Sequence, residues 1–479
     1  MAIPFVNLGG IFIKRTILSI FVFMLCMFSM PAYADNISVS IEGRNVVFND
    51  VSPTIINGRT MVPLRDVSNA LGASVDWNNN TKQITITKDN TKVLMTLNST
   101  ILKTNNYIRK MDTYPTILNS HTMIPARYIA ESFGYTADWN NHTRVVSLNK
   151  ANFVKVHFVD VGQGDCAIVN DNGHSMVIDA GEEGNENTVT NYIKSLGISN
   201  IDYVVATHPH SDHIGSLDAV INNFKVSNII MPNVVNSSHS FENLISAIEN
   251  SNANVLETKA GSNYNLGNSQ FSVLGPIKYD NDELNNDSAV IKLTYGSDSI
   301  IFTGDAESDE ESDILSSGAD ISAHVLKVGH HGSSSSTSQS FINAVNPLVS
   351  VICVGSDNKY GHPTNKTLNT LGNTEIYRTD INSNIIVTLT GKGVYVETAK
   401  IVESPVSTTV NHSSKTTTTP ASNNLSQGSY ILNTNSKKVH LPNCSAVEKI
   451  SDKNKQSYTG SIPSLTSQGY TACKICNPF

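Results

Sequence analysis

The feature that most constrains this chain is a His-x-His-x-Asp-His motif at residues 208–213. The motif follows an apolar, β-branched run that ends at Ala206 and predicts a buried strand. Three imidazoles and one carboxylate within six residues suit a borderline divalent metal such as Zn²⁺. The spacing lets the His-x-His pair face one metal ion while the Asp-His pair faces a second. A His-rich surface loop is the competing interpretation, and the spacing argues against it.

The N-terminus has the pattern of a secretory signal peptide over residues 1–34. Two basic residues precede an apolar run at residues 16–30, and small residues then allow cleavage after Ala34. A retained anchor is the alternative, although the run is shorter than the ~20 residues that a spanning helix needs. The sequence therefore predicts a secreted or cell-surface protein with no stable membrane span after signal cleavage.

Charge is unevenly distributed along the chain, whose formal net charge is −8. Residues 151–400 hold 12 Lys and Arg against 29 Asp and Glu, a balance of −17, so the remainder carries +9. An acidic surface weakens non-specific binding to a polyanion, because neutralised phosphates supply most of that affinity. This balance argues against a DNA-coating role, but it is compatible with a metal-centred phosphodiesterase.

Residues 35–150 contain an internal repeat with an offset of 62 residues. Residues 60–65 return as residues 122–127, and residues 76–79 return as residues 138–141. Each copy predicts a short helix, from residue 67 or residue 129, followed by an alternating strand. The segment resembles the copper amine oxidase N-terminal-like domain of secreted bacterial proteins. That resemblance implies attachment or spacing at the cell surface and no catalysis. It does not imply copper, because no His/Cys cluster accompanies the repeat.

Residues 151–400 alternate short strand-like runs with helical candidates, which predicts a layered α/β fold. Cys166 and Cys353 lie within apolar runs and are expected to be buried core thiols. Strand-end placement of polar residues is what an active site at the rim of a sheet requires. Five apolar runs end in this way, at residues 160–165, 178–181, 206–215, 302–305 and 328–333.

The order of these motifs resembles that of metallo-β-lactamase-fold hydrolases. The His/Asp motif is followed by Thr-Gly-Asp at residues 303–305 and by Gly-His-His-Gly-Ser at residues 329–333. The resemblance is greatest to the extracellular hydrolase domain of ComEC-type DNA-uptake proteins and spans nearly all of residues 152–398. It implies a four-layer αββα sandwich with metals at one edge. It also rests on the motifs at residues 158–165, 178–181, 285–288 and 360–363.

The resemblance implies two divalent metals, zinc or manganese, in this domain. His208 and His210 would hold the first metal, and Asp212 and His213 would hold the second. Asp305 would bridge both through its carboxylate. Two cations close together lower the pKa of a bridging water, so that hydroxide forms near neutral pH, and Asp212 would orient that water or accept its proton.

Four further residues receive roles from the same resemblance. His330 is predicted to complete the second site, with His331 behind it or facing the substrate. Asp179 is expected to accept a ring N–H from a ligand histidine, and Asp165 is a second candidate for that role.

One departure from the wider superfamily concerns the first metal. Many members place another histidine before the strand that begins here at Ala289, where this chain has Asn-Asn-Asp-Ser at residues 285–288. The ComEC-like branch also lacks that histidine. The first site is then short of a protein ligand, and water, or an Asn or Asp of this stretch, would fill it.

His362 is the remaining catalytic candidate. Its position in Tyr-Gly-His-Pro suits proton donation to a leaving group, or phosphate binding; a turn histidine beside Pro363 is the alternative. The hydroxyls and turn amides of residues 333–337 would serve an anionic oxygen, or form a plain polar loop.

The C-terminal part predicts a flexible linker and a small module. Residues 401–427 are rich in Ser, Thr, Asn and Pro, which is typical of a linker. Within residues 428–479, His440-x3-Cys444 and Cys473-x2-Cys476 predict a closed structural Zn²⁺ site. The module resembles the zinc module of Ada-type methyl-transfer proteins. A disulfide with one spare thiol is the alternative.

Together these features predict a secreted dinuclear metal-dependent hydrolase, a phosphodiesterase or nuclease that cleaves extracellular DNA through a metal-bound hydroxide. A cell-wall phosphodiester such as phosphorylcholine-decorated teichoic acid is the alternative substrate, because an acidic domain suits a cationic choline that aromatic residues bind. A non-catalytic surface-binding protein is the third reading. The N-terminal domain is expected to contact the cell wall or the cell surface.

Overall fold

The computed structural model describes residues 36–279, 283–372, 374–400, 428–440, 444, 446–447, 450–460, 465 and 470–473. The predicted signal peptide at residues 1–34 and the predicted linker at residues 401–427 lie outside these ranges. The chain divides into two compact units, residues 1–404 and 405–479. Within the described ranges, no helix is both long enough and apolar enough to cross a membrane.

The two sequence repeats of the N-terminal domain pair with each other through equivalent strands. Arg59–Pro63 lies antiparallel to His121–Pro125, with Val62 opposite Ile124. A helix follows each strand at once, as Leu64–Ala70 or Ala126–Ser132. Both helices begin earlier than predicted, at the first residue after a proline. One small sheet has the strand order Tyr135–Asn140, Val145–Lys150, Ser38–Ile41 and Arg44–Asn45. The other small sheet has the order Thr116–Leu118, His121–Pro125, Arg59–Pro63 and Thr54–Ile56.

Residues 151–400, called here the central domain, form two facing sheets. The first sheet has the strand order Asn254–Glu257, Lys225–Met231, Asn200–Val205, His174–Ile178, Ala167–Asp171, Val154–Phe158, Ile385–Leu389 and Val394–Thr398. The second has the order Asn263–Leu266, Ser269–Gly275, Val290–Tyr295, Asp298–Phe302, Val325–Lys327, Val349–Ile352 and Glu375–Arg378.

Three apolar layers hold this domain together. Phe158, Phe271 and Phe302 lie in the layer between the two sheets. Apolar faces of helices cover the outer surface of each sheet, as expected for strands that are buried on both sides. The order helix, sheet, sheet, helix confirms the predicted αββα sandwich. The helices are Glu186–Ser195, Ser211–Ile214, Leu217–Asn223 and His239–Glu249 on one side, and Ser308–Ser317, Gln339–Val345 and Asn365–Leu371 on the other. The short helix Thr379–Asn382 follows the edge strand of the second sheet.

The first sheet continues into the N-terminal domain. Thr398 at its edge pairs with Ile108 of the strand Tyr107–Lys110. Four further N-terminal strands follow outward, so that thirteen strands form one sheet: Ile101–Thr104, Thr91–Thr96, Gln83–Lys88 and Ser74–Asn78. The hydroxyl groups of Tyr107 and Tyr192 are also hydrogen-bonded at 2.8 Å. The N-terminal domain therefore covers the free edge of the central sheet.

The C-terminal unit contains one small sheet among its described residues. Its order is Lys455–Gly460, Gly428–Asn433, Lys438–His440 and Thr471–Ala472. Leu432, Val439 and Leu465 form its apolar core.

Candidate metal centre

The predicted motifs converge at one rim of the sandwich. The His/Asp motif follows the strand Asn200–Val205, and Asp179 follows the neighbouring parallel strand His174–Ile178. In the second sheet, Asp305 follows Asp298–Phe302, and the two adjacent histidines lie in the turn Gly329–Gly332 after the parallel strand Val325–Lys327. Because the carboxyl ends of parallel strands meet at one edge, these side chains lie together.

Four buried side chains form the centre of the site. Asp165, His213, Asp305 and His331 each offer a donor atom, and these atoms lie within 4.8 Å of one another. Nε2 of His213 lies 3.2 Å from Oδ1 of Asp305. Nε2 of His331 lies 3.6 Å from Oδ2 of Asp305 and 3.2 Å from Oδ2 of Asp212. We call these five residues the metal cluster.

The metal cluster fits a divalent cation. Nε2 of His213 and Oδ1 of Asp305 are buried and have no hydrogen-bond partner of suitable geometry. Buried polar atoms without a partner destabilise a fold unless something else satisfies them. Imidazole nitrogens and carboxylate oxygens at this spacing are donors that zinc and related divalent metals accept. These atoms are consistent with the metal binding that the sequence predicts.

Asp179 fixes the ring of His213. Its Oδ2 lies 2.8 Å from Nδ1 of His213 and accepts the hydroxyl of Thr207 at 2.7 Å. Its Oδ1 accepts the backbone N–H of Thr207 at 2.8 Å. With Nδ1 donating to this carboxylate, Nε2 is the ring nitrogen that faces the metal cluster. The contact with a histidine that the sequence predicts for Asp179 is present.

His331 is held in an equivalent way. Its Nδ1 lies 2.9 Å from the carbonyl oxygen of Cys353 and 3.2 Å from Oδ1 of Asp165. Oδ2 of Asp165 in turn forms an ion pair with Nζ of Lys327 at 2.8 Å. Asp165 therefore contacts the ring N–H side of a histidine, as the sequence predicted for it and for Asp179. It also belongs to the metal cluster.

The structure corrects the predicted order of the two adjacent histidines. His331, predicted to lie behind His330 or face the substrate, is buried within the metal cluster. His330, predicted as the ligand, is 24% exposed, and its Nε2 lies 3.7 Å from Oδ2 of Asp305. Both residues have positive φ angles of 46° and 51°, an uncommon left-handed conformation that turns the second ring inward. Two adjacent histidines in a sequence do not indicate which of them is buried in the site.

The His-x-His pair lies beside the metal cluster. Nε2 of His208 lies 3.0 Å from Nδ1 of His210 and 4.0 Å from Oδ2 of Asp305. Nδ1 of His208 lies 3.3 Å from Oγ of Ser288, in the stretch that replaces the expected histidine. Asn285 of the same stretch lines a cavity next to the metal cluster, and its Oδ1 is buried without a hydrogen-bond partner. Asn285 is therefore a candidate for the open position of the first site.

Two charged residues of the site carried no sequence prediction. Glu307 accepts hydrogen bonds from Ser335 Oγ at 2.8 Å and from Asn285 Nδ2 at 3.2 Å, and its Oε1 lies 3.0 Å from Nδ1 of His330. Lys327, the partner of Asp165, is fully buried. A lysine inside an apolar strand was the available signal, because a buried lysine requires a charged partner.

The electrostatics of the metal cluster follow from burial and mutual pairing. Burial opposes protonation of His331, yet Asp305, Asp165 and Asp212 together raise its pKa to about 10. Burial likewise opposes protonation of His213, but Asp305 and Asp179 raise its pKa well above the usual value. Burial favours the neutral acid of Asp305, and the facing histidines nevertheless hold its pKa well below the usual range. A site with this surplus of carboxylates attracts cations.

A cavity of about 400 Å³ opens onto the metal cluster. Burial, and then the neighbouring His330 and His331, lower the pKa of His362 on its wall. Nδ1 of His362 is buried without a hydrogen-bond partner. His362 therefore lines the same cavity as Asp212, Asp305 and His331. Residues that line the cavity include Gln163, His210, Asp212, Asn236, Asn285, Asp305, His330, His331, Tyr360 and His362.

The Gly-Gln-Gly-Asp turn packs directly against the His/Asp motif. Gly164 has φ +132°, and a Cβ atom there would lie 2.2 Å from the carbonyl oxygen of Asp212. The next residue, Asp165, donates its backbone N–H to the same oxygen at 3.1 Å. A side chain at position 164 would push the motif away, so this turn needs glycine.

A second group of potential ligands lies in the C-terminal unit. His440, Cys444 and Cys473 are buried and offer donor atoms within 4.8 Å of one another. Both ring nitrogens of His440 are buried without a hydrogen-bond partner. Cys476, the predicted fourth ligand, lies outside the described residues. Cys166 and Cys353 of the central domain are buried thiols, as predicted.

Comparison with family profiles identifies both larger domains. Residues 40–148 match the family described as copper amine oxidase N-terminal domain. Residues 159–356 match the metallo-beta-lactamase superfamily. Both matches confirm the resemblances seen in the sequence.

Curated relatives agree with the second match. ComE operon protein 3 of Bacillus subtilis (strain 168) is 30% identical over 251 residues, which are 48% of this chain and 32% of that protein. Recombination protein 2 of Haemophilus influenzae is 27% identical over 214 residues, or 44% of this chain and 25% of that protein. The chain thus spans about a third or less of these relatives.

Among solved structures, the metallo-beta-lactamase fold protein YhfI from Bacillus subtilis aligns with 50% of this chain and 100% of its own. Its sequence identity to this chain is 13%, with a TM-score of 0.34.

Proposed function

We propose that this chain, whose residues 159–356 form a domain of the metallo-β-lactamase superfamily, is a metal-dependent phosphodiesterase that cleaves extracellular DNA. The observation that carries the proposal is the set of buried, unpartnered ligand atoms of the metal cluster, which opens into a cavity with a histidine on its wall. A divalent cation held by such ligands lowers the pKa of bound water and stabilises charge on phosphoryl oxygens.

His213, Asp305, Asp212 and His331 would hold one cation, zinc or manganese. His208 and His210, with Asp305 and the oxygen of Asn285, would hold a second. In this assignment His331 replaces His330 as the ligand. Asp179 and Asp165 keep the rings of His213 and His331 turned so that Nε2 faces inward.

His362 would handle the proton of the leaving group. Burial and the neighbouring His330 and His331 lower its pKa, which favours the neutral ring while the cavity holds no anion. The negative charge of a bound phosphodiester favours the protonated ring, so His362 takes up a proton as substrate binds. It then delivers that proton to the departing oxygen. Asp212 would orient the attacking water or accept its proton, as the sequence predicts.

The rest of the chain would place this activity outside the cell. The apolar run at residues 16–30 supports export, and the N-terminal domain would contact the cell wall or another surface. The group of His440, Cys444 and Cys473 would hold a structural zinc ion, with Cys476 as its fourth ligand.

The test is a cleavage assay on purified protein loaded with Zn²⁺ or with Mn²⁺. Substrates are single-stranded DNA, double-stranded DNA and a chromogenic phosphorylcholine ester, and Asp305→Ala serves as the inactive control. The expected result is that the metal-loaded wild type cleaves DNA and that Asp305→Ala does not. Turnover of the phosphorylcholine ester without DNA cleavage would favour the cell-wall substrate. If the folded, metal-loaded protein cleaves none of the three substrates, the result would support the non-catalytic alternative, a surface-binding protein whose metal site has lost its activity.

A further inference from the structure

Tyr360 stands at the mouth of the active-site cavity, and we propose that it stacks on a nucleobase next to the scissile phosphate, which makes single-stranded nucleic acid the preferred substrate. This inference rests on the proposed phosphodiesterase function and names the substrate class of the same site.

The ring of Tyr360 is not needed for the fold. Its side chain lines the cavity, yet the residue is 58% exposed. None of the apolar clusters formed by the described residues includes it. An exposed aromatic ring at the edge of a catalytic cavity offers apolar area that a ligand can cover.

The loop that carries Tyr360 is fixed by one side chain. Oδ1 of Asn358 accepts the backbone N–H of His362 at 2.9 Å. Nδ2 of Asn358 donates to the carbonyl oxygens of His362 at 2.9 Å and Gly355 at 2.8 Å. The ring is therefore presented on a closed turn, which reduces the ordering cost when a ligand stacks on it.

Three rings form a continuous series from the cavity wall to its mouth. The centroids of His330 and His362 are 5.5 Å apart, with an interplanar angle of 79°. The centroids of His362 and Tyr360 are 5.7 Å apart, and these rings are nearly parallel at 24°. A phosphate placed beside His330 and His362 thus has the ring of Tyr360 as its next neighbour toward solvent. The base attached to the adjoining sugar is the part of a strand that reaches this ring.

Charge at the mouth favours a nucleic acid strand over a choline group. Nζ of Lys359 lies 5.4 Å from the centroid of the Tyr360 ring. A quaternary ammonium on this ring would meet that positive charge, whereas a strand brings a phosphate that pairs with it. Lys359 supplies local positive charge in a domain that is otherwise acidic.

The strand must be unpaired for this contact. In a duplex both faces of a base are covered by its neighbours, and exposing one requires the base to leave the stack. In single strands, bases stack on aromatic side chains whatever their sequence, because every base has a π face. Tyr360 therefore distinguishes unpaired from paired DNA without reading sequence.

The test compares wild type, Tyr360→Ala, Tyr360→Trp and Tyr114→Ala. Tyr114 is 40% exposed in the N-terminal domain, so its variant makes the same change away from the cavity. The probes are a single-stranded oligonucleotide, the same oligonucleotide with abasic sites flanking the cleaved bond, and the duplex. Initial rates yield KM and kcat for each.

Tyr360→Ala is expected to raise KM for the single strand on the order of tenfold, with kcat nearly unchanged. The abasic oligonucleotide should show the same KM with wild type and Tyr360→Ala, since no base remains to stack. Tyr360→Trp should preserve or lower KM for the single strand, and Tyr114→Ala should leave it unchanged. Bound metal and circular dichroism confirm that each variant is folded.

Equal KM values for wild type and Tyr360→Ala on the single strand would overturn the inference while leaving the phosphodiesterase function intact. An equal rise in KM on the abasic oligonucleotide would also overturn it, because the ring would then act on the backbone. Absence of cleavage by the metal-loaded wild type on every probe would refute the phosphodiesterase function itself.

Discussion

Nδ1 of His213 lies 2.8 Å from Oδ2 of Asp179, and both side chains are completely buried. The pair leaves Nε2 of His213 as the atom that faces Asp305. In this arrangement the carboxylate of Asp179 orients the ring of a histidine in the metal cluster.

Replacing Asp179 with Asn should therefore weaken metal binding without removing a ligand. The expected loss of metal affinity is roughly 10- to 100-fold, measured by competition with a chromogenic chelator. Asp202→Asn is the matched control, because Asp202 pairs with the exposed His174 at 3.2 Å. Equal affinities of the Asp179→Asn and Asp202→Asn proteins would show that Asp179 does not orient a ligand.

The two adjacent histidines should differ in metal content. Since His331 lies inside the metal cluster and His330 at its exposed edge, His331→Ala should lose the cation at His213 and Asp305, and His330→Ala should retain it. Metal content after gel filtration, measured by mass spectrometry, gives the answer. Loss of that metal from the His330 variant alone would restore the order predicted from the sequence.

The buried ion pair of Lys327 and Asp165 should matter more for stability than a surface pair. Lys327→Met removes the shorter of the two ion pairs of the buried Asp165 carboxylate, which costs about 3–5 kcal/mol. Lys292→Met removes a pair with the largely exposed Asp320, which is worth less than about 1 kcal/mol. Urea unfolding of the two metal-free variants compares them, and similar midpoints would contradict the assigned role of Lys327.

Stability at acid pH should depend on His157. Burial, together with the charge of Lys155, lowers the pKa of His157 to about 3. An unfolded histidine, with a pKa of about 6.5, takes up a proton below that pH while the folded one does not. The stability that neutral His157 contributes is thus complete above about pH 6.5 and declines as pH falls toward 3.

The wild type should accordingly lose stability faster than His157→Gln between pH 6 and pH 4, by about 1.4 kcal/mol per pH unit. Glutamine cannot titrate, and its amide can still reach the hydroxyl of Tyr192, which lies 3.0 Å from Nδ1 of His157. Unfolding of the metal-free proteins at several pH values measures both slopes, and parallel slopes would refute the assignment.

The sequence predicted most strands of the central layers, although not the buried strand Ile385–Leu389, and it predicted the polar edges poorly. Apolar runs such as those before Asp179 and Asp305 are buried on both sides, so hydrophobicity alone revealed them. The strands Asn254–Glu257 and Asn263–Leu266 lie at sheet edges and are mostly exposed, and hydrophobicity did not reveal them. Continuation of the sheet into the N-terminal domain depends on pairing between distant residues, which local patterns do not encode.

In the site, motif spacing predicted which residues meet but not how each ring turns. His330 and His331 both have positive φ angles, and nothing in the local sequence requires that conformation. Glu307 and Lys327 act through partners distant in sequence, so their roles emerged only from the fold.

The central claim is that the metal cluster supports phosphodiester hydrolysis. The most direct measurement is the initial rate of oligonucleotide cleavage by chelator-stripped protein as Mn²⁺ or Zn²⁺ is added back, alongside Asp305→Asn. The account predicts no cleavage without metal, a rate that rises and saturates as metal binds, and no activity in the variant. Cleavage that survives chelation, or equal rates for the wild type and Asp305→Asn, would contradict it.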